Sequence, residues 1–397
     1  MAGAGAEQIQ SILGAVRRYL AMDVGFISEF TRGNRVFRFT DSAAGQSGIV
    51  VGNSDPLETT FCHHVAEGTL PGLLSNAQTN RTAAALSATK AFPVGAHLSV
   101  PLRHPDGTPY GTICCFSAAP NRRLGARDLN VLKMCAEVVE AVLEKERSAA
   151  HAVASRRIEI ARIIEDEAIE MVFQPLYRVA DGHLTGFESL SRFPKNPQRQ
   201  VDAWFVEAAE VGLGLELEFL AARKALSALC QLDEALKLTI NLSYEAILSE
   251  HFARTLEGVP VHRVVVELTE HAVVDHYETL RQALAPLRAR GLRLAIDDVG
   301  AGHSTFRHIL DLNPEFIKLD RSLIRGLNED TARRALAEAL TLYGRRIGCE
   351  VVAEGVETEE ELAVIGAIGI TRVQGYLLGR PMPIERAVAL PRVRTSP

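Results

Sequence analysis

Asp297 and Asp298 stand side by side at the end of a short apolar run, Leu292-Arg293-Leu294-Ala295-Ile296, and a loop with two glycines, Val299-Gly300-Ala301-Gly302, follows them. Paired acids under a loop free to bend over them can seat a divalent cation. An Asp-Gly turn with solvated carboxylates accounts for the same residues. What separates the two readings is the rest of the second half of the chain. Other strand-like runs finish in Glu188, Asn241, Glu267, Lys318 and Glu354, and Gln374 lies inside the last one. Taken singly, each is an ordinary capping or surface residue. Arriving at the same relative position, they form a set suited to metal or phosphate. Convergent carboxylates raise one another's proton affinity unless cations sit among them. Neither Cys nor His shares the pattern, and hard oxygen donors select Mg²⁺ or Mn²⁺ over zinc.

Such a set needs elements that bring it to one place. The expected strands are Val172-Phe173-Gln174-Pro175 and residues 184–190, 238–242, 264–268, 292–296, 316–319, 351–353 and 373–377. Amphipathic helical stretches lie between them, such as 203–212, 217–230, 277–290, 331–347 and 359–368. This alternation predicts a parallel sheet with helical crossovers. About eight strands in ~240 residues fits a closed α/β TIM-like barrel, whose active site collects at the C-terminal strand ends. An open doubly wound sheet is the alternative. Successive side chains of a strand point to opposite faces, so Asp297 and Asp298 share a direction only if the strand ends there.

The first half reads differently. Ile9, Ile12, Leu13, Val16 and Leu20 recur at helical spacing. Strands are expected at residues 24–30, 36–39, 96–102 and 110–116, the last two joined by the turn Pro105-Asp106-Gly107-Thr108-Pro109. A helix begins at about Ala126. The pattern is an α+β domain: an antiparallel sheet with flanking helices. Residues 129–164 hold no Pro or Gly, with apolar residues at three- and four-residue steps. They read as a long connecting helix with an imperfect heptad seam, either a parallel dimer helix or a helix packed on its own domain with another starting near Ser155. The domains are therefore set at 1–147, with the connecting helix 129–164, and 165–397.

At 397 residues the chain exceeds one compact core. Its 47% hydrophobic and 23% charged residues are those of a soluble globular protein. A net charge of −6 without a basic block argues against a nucleic-acid polymer as partner. No run approaches the ~20 apolar residues of a membrane span, and residues 1–8 lack a secretory signal pattern, so a cytoplasmic location is expected. The six scattered cysteines fit buried free thiols in a reducing compartment. Cys62-His63-His64 could attach a bilin or help hold haem or metal; a packed cysteine beside two ordinary histidines is the favoured reading.

Two resemblances follow from the motifs. Ser99-Val100-Pro101-Leu102, Asp106-Gly107, Tyr110-Gly111-Thr112-Ile113 and Leu124-Gly125-Ala126-Arg127-Asp128-Leu129 resemble the end of a GAF domain, over roughly residues 5–147. That implies a sensory module, often dimeric, for an unidentified small-molecule ligand or signal. Residues 165–390 are similar to the EAL family of cyclic-di-GMP phosphodiesterases. The motifs are Gly186-Phe187-Glu188-Ser189-Leu190, Ile240-Asn241-Leu242-Ser243, Glu267-Leu268-Thr269-Glu270, Asp297-Asp298-Val299-Gly300-Ala301-Gly302, Ile317-Lys318-Leu319-Asp320, Ala353-Glu354-Gly355-Val356-Glu357 and Gln374-Gly375-Tyr376. The resemblance implies that Glu188, Asn241, Glu267 and Asp297 hold a first metal, with Asp297 bridging to a second that Asp298 joins. It implies that Glu354 is a second-metal ligand or general base and that Lys318 holds the attacking water or the scissile phosphate. Gln174, Leu190, Arg192, Asp320 and Gln374 would contact the dinucleotide, and Glu270 would anchor the loop after Asp298.

The residues suit that chemistry. Two cations ~4 Å apart activate a water and clamp the attacking and leaving oxygens. A lysine adds a point charge, and Arg192 offers a donor fork to the second phosphate. The expected reaction is two-metal hydrolysis of cyclic-di-GMP to linear pGpG, in a sensor-regulated homodimer. The runner-up is a silent cyclic-di-GMP receptor signalling through its dimer helix, which usually lacks a metal ligand. A barrel enzyme for another phosphate ester is a third reading. Ser189, Ser191, Val299 and His303 depart from the family pattern without removing a ligand.

Overall fold

The computed structural model describes residues 3–43, 49–87, 89, 94–268, 276–299 and 305–394. The chain divides into two compact units, Met1–Val153 and Ala154–Pro397. In the first, helix α1 (Ala4–Tyr19) precedes strands β1 (Val24–Thr31), β2 (Asn34–Ser42) and β3 (Ser54–Pro56). Helix α2 (Phe61–Ala66), β4 (Leu73–Leu74), α3 (Arg81–Ala85), β5 (Ala96–Arg103) and β6 (Pro109–Ser117) follow. The six strands form one sheet in the order β3-β2-β1-β6-β5-β4, every recorded pairing antiparallel. The β5–β6 turn works as its residues demand. Asp106 Oδ1 accepts from Thr108 N at 2.9 Å, and Gly107 takes φ +86°, where a side chain is strained.

Alternation along β6 sends its residues to two cores. Ile113 and Cys115 pack with Ile9, Leu13 and Val16 of α1, while Cys114 and Phe116 pack with Phe61, Cys62 and Val65 of α2. The neighbouring cysteines thus point apart, as strand geometry requires.

Helix α4 (Ala126–Glu165) is unbroken for 40 residues. Nothing in its sequence interrupts the hydrogen-bond ladder, so a separate helix starting near Ser155 is not formed. Leu132, Ala136 and Val139 lie in the core of the first unit. Ile160 and Ile163 lie in a satellite core of the second, around Trp204 and Leu217.

The second unit is a closed barrel of β7 (Glu170–Arg178), β8 (Leu184–Arg192), β9 (Lys237–Asn241), β10 (Val264–Leu268), β11 (Arg293–Val299), β12 (Phe316–Leu319), β13 (Glu350–Ala353) and β14 (Arg372–Val373). Here the expected all-parallel sheet needs correction. Strand β7 runs antiparallel to both neighbours, β8 and β14. The connection from β7 to β8 is residues 179–183 only, and a parallel return needs a crossover of a dozen residues or more. Asp181 Oδ1 accepts from His183 N at 3.1 Å, and Gly182 takes φ +64°. That Asp-Gly pair is a hairpin signal present in the sequence.

Period two decides which residues enter the barrel. Val265, Ala295, Phe316 and Val352 pack together with Leu176 as an interior layer. Their neighbours Val266, Ile296, Ile317 and Ala353 face the outer core, with helix residues such as Leu280, Leu284 and Leu340. Two residues beyond the interior layer, on the same face, come Glu267, Asp297, Lys318 and Glu354.

Candidate metal-binding site at the barrel mouth

Lys318 is the centre of that next layer. Its Nζ lies 2.5 Å from Glu267 Oε1, 2.6 Å from Glu354 Oε1, 3.2 Å from Asp297 Oδ1 and 3.5 Å from Glu188 Oε2. Lys318, Glu267 and Glu188 are buried, at 3%, 0% and 7% exposure. A ligand atom from each of Asp297, Asp298 and Glu354 falls within a 4.8 Å cluster on the more open side. On the other side Asn241 Nδ2 donates to Glu188 Oε1 at 3.4 Å. Gln374 Nε2 donates to Glu188 Oε2 at 2.7 Å and to Gln174 Oε1 at 2.9 Å. Gln174 Nε2 in turn donates to the Gly379 carbonyl at 3.1 Å. Gln174 reaches this layer because β7 is reversed: its register partner is Glu188.

The paired aspartates are positioned by a device other than a strand end. Strand β11 continues to Val299, but its register with β12 slips between Ile296 and Val299. Asp298 takes φ +54°, a conformation that Asp tolerates better than most residues. The irregularity breaks strict alternation, so both carboxylates contribute to one cluster. Glu354 is followed at once by Gly355 at φ +64°. The next loop is held by Glu361, whose carboxylate accepts from Glu357 N, Thr358 N and Gly326 N at 2.9, 3.2 and 3.0 Å. Thr358 and Glu361 make a capping box on the helix Glu359–Ile368. Sequence reasoning missed this support, although Thr-x-x-Glu before an apolar run is its signature.

Four carboxylates meet one ammonium, and Asp298 adds a fifth acid beside Asp297 and Glu354. Burial works against the charge on Lys318, yet the surrounding acids hold its proton affinity well above the ordinary lysine value. Glu267 and Glu354 are pushed well above the carboxylate range, first by burial and then by neighbouring acids that Lys318 does not fully offset. For Asp297 burial is outweighed by Lys318 and by hydrogen bonds, and its pKa falls. Glu267 Oε2 is buried without a hydrogen-bond partner among the described residues. An orphaned carboxylate oxygen, surplus negative charge and an all-oxygen donor set fit a divalent cation.

The other candidates lie apart from this contact network. Arg192 ends β8 and donates to the Ser191 carbonyl at 2.7 Å. Leu190 is half-buried on the same strand, paired with Val172. Asp320 caps the short helix Arg321–Ile324 by accepting from Ser322 N at 2.9 Å. Ser189 is buried and donates to the Thr239 carbonyl at 2.7 Å, tying β8 to β9 between the positions of Glu188 and Asn241. Glu270 and His303 lie outside the described residues, as does the glycine loop 300–304.

Comparison with known proteins gives the following. Residues 156–381 match the EAL domain family and residues 6–143 the GAF domain family. The uncharacterized protein y4lL of Sinorhizobium fredii is 30% identical over 248 residues, 60% of this chain and 30% of that one. The probable cyclic di-GMP phosphodiesterase PdeN of Escherichia coli K12 is 30% identical over 240 residues, 57% of this chain and 46% of that one. The chain thus spans less than half the length of either relative. The solved PaMucR phosphodiesterase, in complex with c-di-GMP, is 25% identical with a TM-score of 0.53, covering 59% of this chain and 99% of that one.

Proposed function

We propose, from the premise that this chain belongs to the EAL domain family and carries a GAF domain ahead of it, that its barrel hydrolyses cyclic-di-GMP to linear pGpG in a metal-dependent reaction. The observation that carries the reading is the convergence of Glu188, Glu267, Asp297 and Glu354 on Lys318 at 2.5–3.5 Å, with Asp298 in the same acidic mouth. The names of PdeN and PaMucR support the substrate.

In this reading Glu188, Asn241, Glu267, Asp297, Asp298 and Glu354 hold two Mg²⁺ or Mn²⁺ ions. Bound there, the cations supply an acidified water and charge relief at the leaving oxygen. The chain's own residues do the rest. Lys318 puts a fixed positive charge where negative charge develops on the phosphoryl oxygens. Glu354 serves either as a ligand of the second cation or as the general base that takes the proton from the attacking water at its carboxylate. The Gln374 amide, shared between Glu188 and Gln174, fixes both side chains at the wall of the mouth. Arg192 presents a donor fork to the second phosphate. Leu190 and Asp320 complete the dinucleotide contacts, and Glu270 anchors the loop beyond Asp298.

The same reading assigns residues 1–147 to sensing a small molecule, 129–164 to transmission through a homodimer helix, and 165–397 to catalysis, in the cytoplasm. Among the described residues no helix is long and apolar enough to cross a membrane.

The test is hydrolysis by the full chain with Mg²⁺, Mn²⁺ and Ca²⁺ compared, products resolved by chromatography. pGpG should form with Mg²⁺ or Mn²⁺ and stop with a chelator. Tight nucleotide binding without turnover at saturating metal would replace the enzyme with a receptor.

A further inference from the structure

Cys62 sits on α2 and Cys114 on β6, 52 positions later, yet their sulfurs are 3.6 Å apart. Both residues are fully buried. Arg35 reaches in from β2, its Nη1 3.4 Å from Cys62 Sγ. The guanidinium lies over the rings of Phe37 and Phe26, 4.4 and 5.4 Å from their centroids, and its other end pairs with Asp55. A guanidinium stays charged in any protein environment, so a buried one selects anionic partners. Asp55 is one, on the solvent side. On the inner side the group within reach is the Cys62 sulfur. Hydroxyls complete the shell. Ser28 Oγ is 3.9 Å from Cys62 Sγ, while Ser99 Oγ and Thr112 Oγ1 are 3.0 and 3.2 Å from Cys114 Sγ.

Burial alone would keep both thiols protonated. For Cys62 this is overcome by the Cys114 hydrogen bond and the Arg35 charge, which bring its pKa down to about 5. Cys114 moves the opposite way, well above the usual thiol value, through burial and the neighbouring sulfur. One proton between two sulfurs gives a thiolate beside a thiol, the pairing that two-cysteine redox chemistry uses. The remaining four cysteines lack it: Cys115 and Cys349 are pushed up to about 12, burial raises half-buried Cys135, and Cys230 is exposed, with no second cysteine in its hydrogen-bond contacts.

We propose that Cys62 and Cys114 are a peroxide-oxidisable pair that closes to a disulfide. The Cys62 thiolate attacks one oxygen of hydrogen peroxide; the O–O bond breaks, leaving Cys62 sulfenic acid and hydroxide. The Cys114 sulfur then attacks the Cys62 sulfur; the S–O bond breaks, and the departing hydroxide takes the Cys114 proton as water. Two electrons pass from the sulfurs to peroxide. Closing from 3.6 Å to the ~2.05 Å of a disulfide asks roughly 0.8 Å of each sulfur. Oxidation removes the anion facing Arg35 and ties α2 to the central sheet, so the first unit has two chemically distinct states. Burial of both sulfurs favours a small uncharged oxidant over a bulky one. This inference stands apart from the hydrolysis reading.

The test treats the full-length protein with hydrogen peroxide near stoichiometry and maps its peptides by mass spectrometry. The expected product is a Cys62–Cys114 peptide pair lighter by two hydrogens and reversed by dithiothreitol. The bulky aromatic disulfide DTNB should instead modify Cys230 in the folded protein. Cys114→Ser removes the resolving sulfur and should leave Cys62 as a sulfenic acid that dimedone labels; Cys62→Ser should leave Cys114 unreacted at the same dose. The proposal is overturned if Cys62 and Cys114 both remain alkylatable after peroxide while Cys230 is oxidised, or if dimedone labels Cys114→Ser elsewhere than at Cys62.

Discussion

Replacing Lys318 by Met keeps a long unbranched side chain but removes the only cation in contact with four carboxylates among the described residues. Lys318 is 3% exposed, so water does not take its place. Removing one partner of a buried ion pair costs about 3–5 kcal/mol, because the remaining charge is left uncompensated. For a unit of this size each kcal/mol shifts the melting temperature by about 2–4 °C. The metal-free Lys318→Met variant should therefore melt roughly 6–20 °C below metal-free wild type in the barrel's calorimetric transition. Saturating Mn²⁺ should recover more than half of the loss, since a cation among the same oxygens replaces the missing charge. Turnover of cyclic-di-GMP should stay down by about 10²–10³-fold even with metal, the usual consequence of losing one preorganised electrostatic group. If the metal-free variant melts within about 2 °C of wild type, Lys318 is not the counter-charge of this site. If stability falls but Mn²⁺ restores none of it, the acids around Lys318 do not hold a cation.

Two further expectations test the frame around each core. A Cβ on Gly186 would lie 2.4 Å from the Lys237 carbonyl oxygen, so Gly186→Ala must push β8 away from β9. Stability should drop by about 1–3 kcal/mol in urea denaturation, and Mn²⁺ affinity measured by calorimetry should weaken, because Glu188 and Asn241 ride on those two strands; unchanged affinity refutes the coupling. His97 is buried against Phe61, and its pKa is held down to about 3 by burial and then by the Arg35 charge. Unfolded histidine titrates near 6.5. The unfolded chain thus gains a proton below pH 6.5 that the folded chain refuses until about 3, so this group's stabilisation is complete above pH 6.5 and is lost as pH falls through that window. In His97→Gln the first unit should lose less stability between pH 7 and 4.5 than wild type, measured by denaturant midpoints; equal losses rule the assignment out.

Much of this was legible in residue order because it depends on local repetition. The period-two runs place Glu267, Asp297, Lys318 and Glu354 on the inward face of their strands. The Pro- and Gly-free stretch predicts helix throughout while leaving open a second start near Ser155, which the unbroken Ala126–Glu165 helix closes, and Asp106-Gly107 predicts the β5–β6 turn. The reversed direction of β7 was equally available in Asp181-Gly182 and the five-residue connection, but counting strands and helices overlooked it. That reversal is what sets Gln174 against Glu188. The Thr358–Glu361 capping box was overlooked in the same way.

What the amino-acid sequence determined alone is which side chains are acidic, basic or apolar and which face of its own element each one occupies, since backbone periodicity is set within a few residues. Only the tertiary structure decided that four carboxylates from separate strands share one lysine, that a slipped register turns Asp298 toward the same mouth as Asp297, and that Cys62 meets Cys114 beside Arg35. Those meetings depend on inter-strand register and on closure of a sheet, which are settled by packing summed over residues far apart in the chain. No local pattern carries that sum.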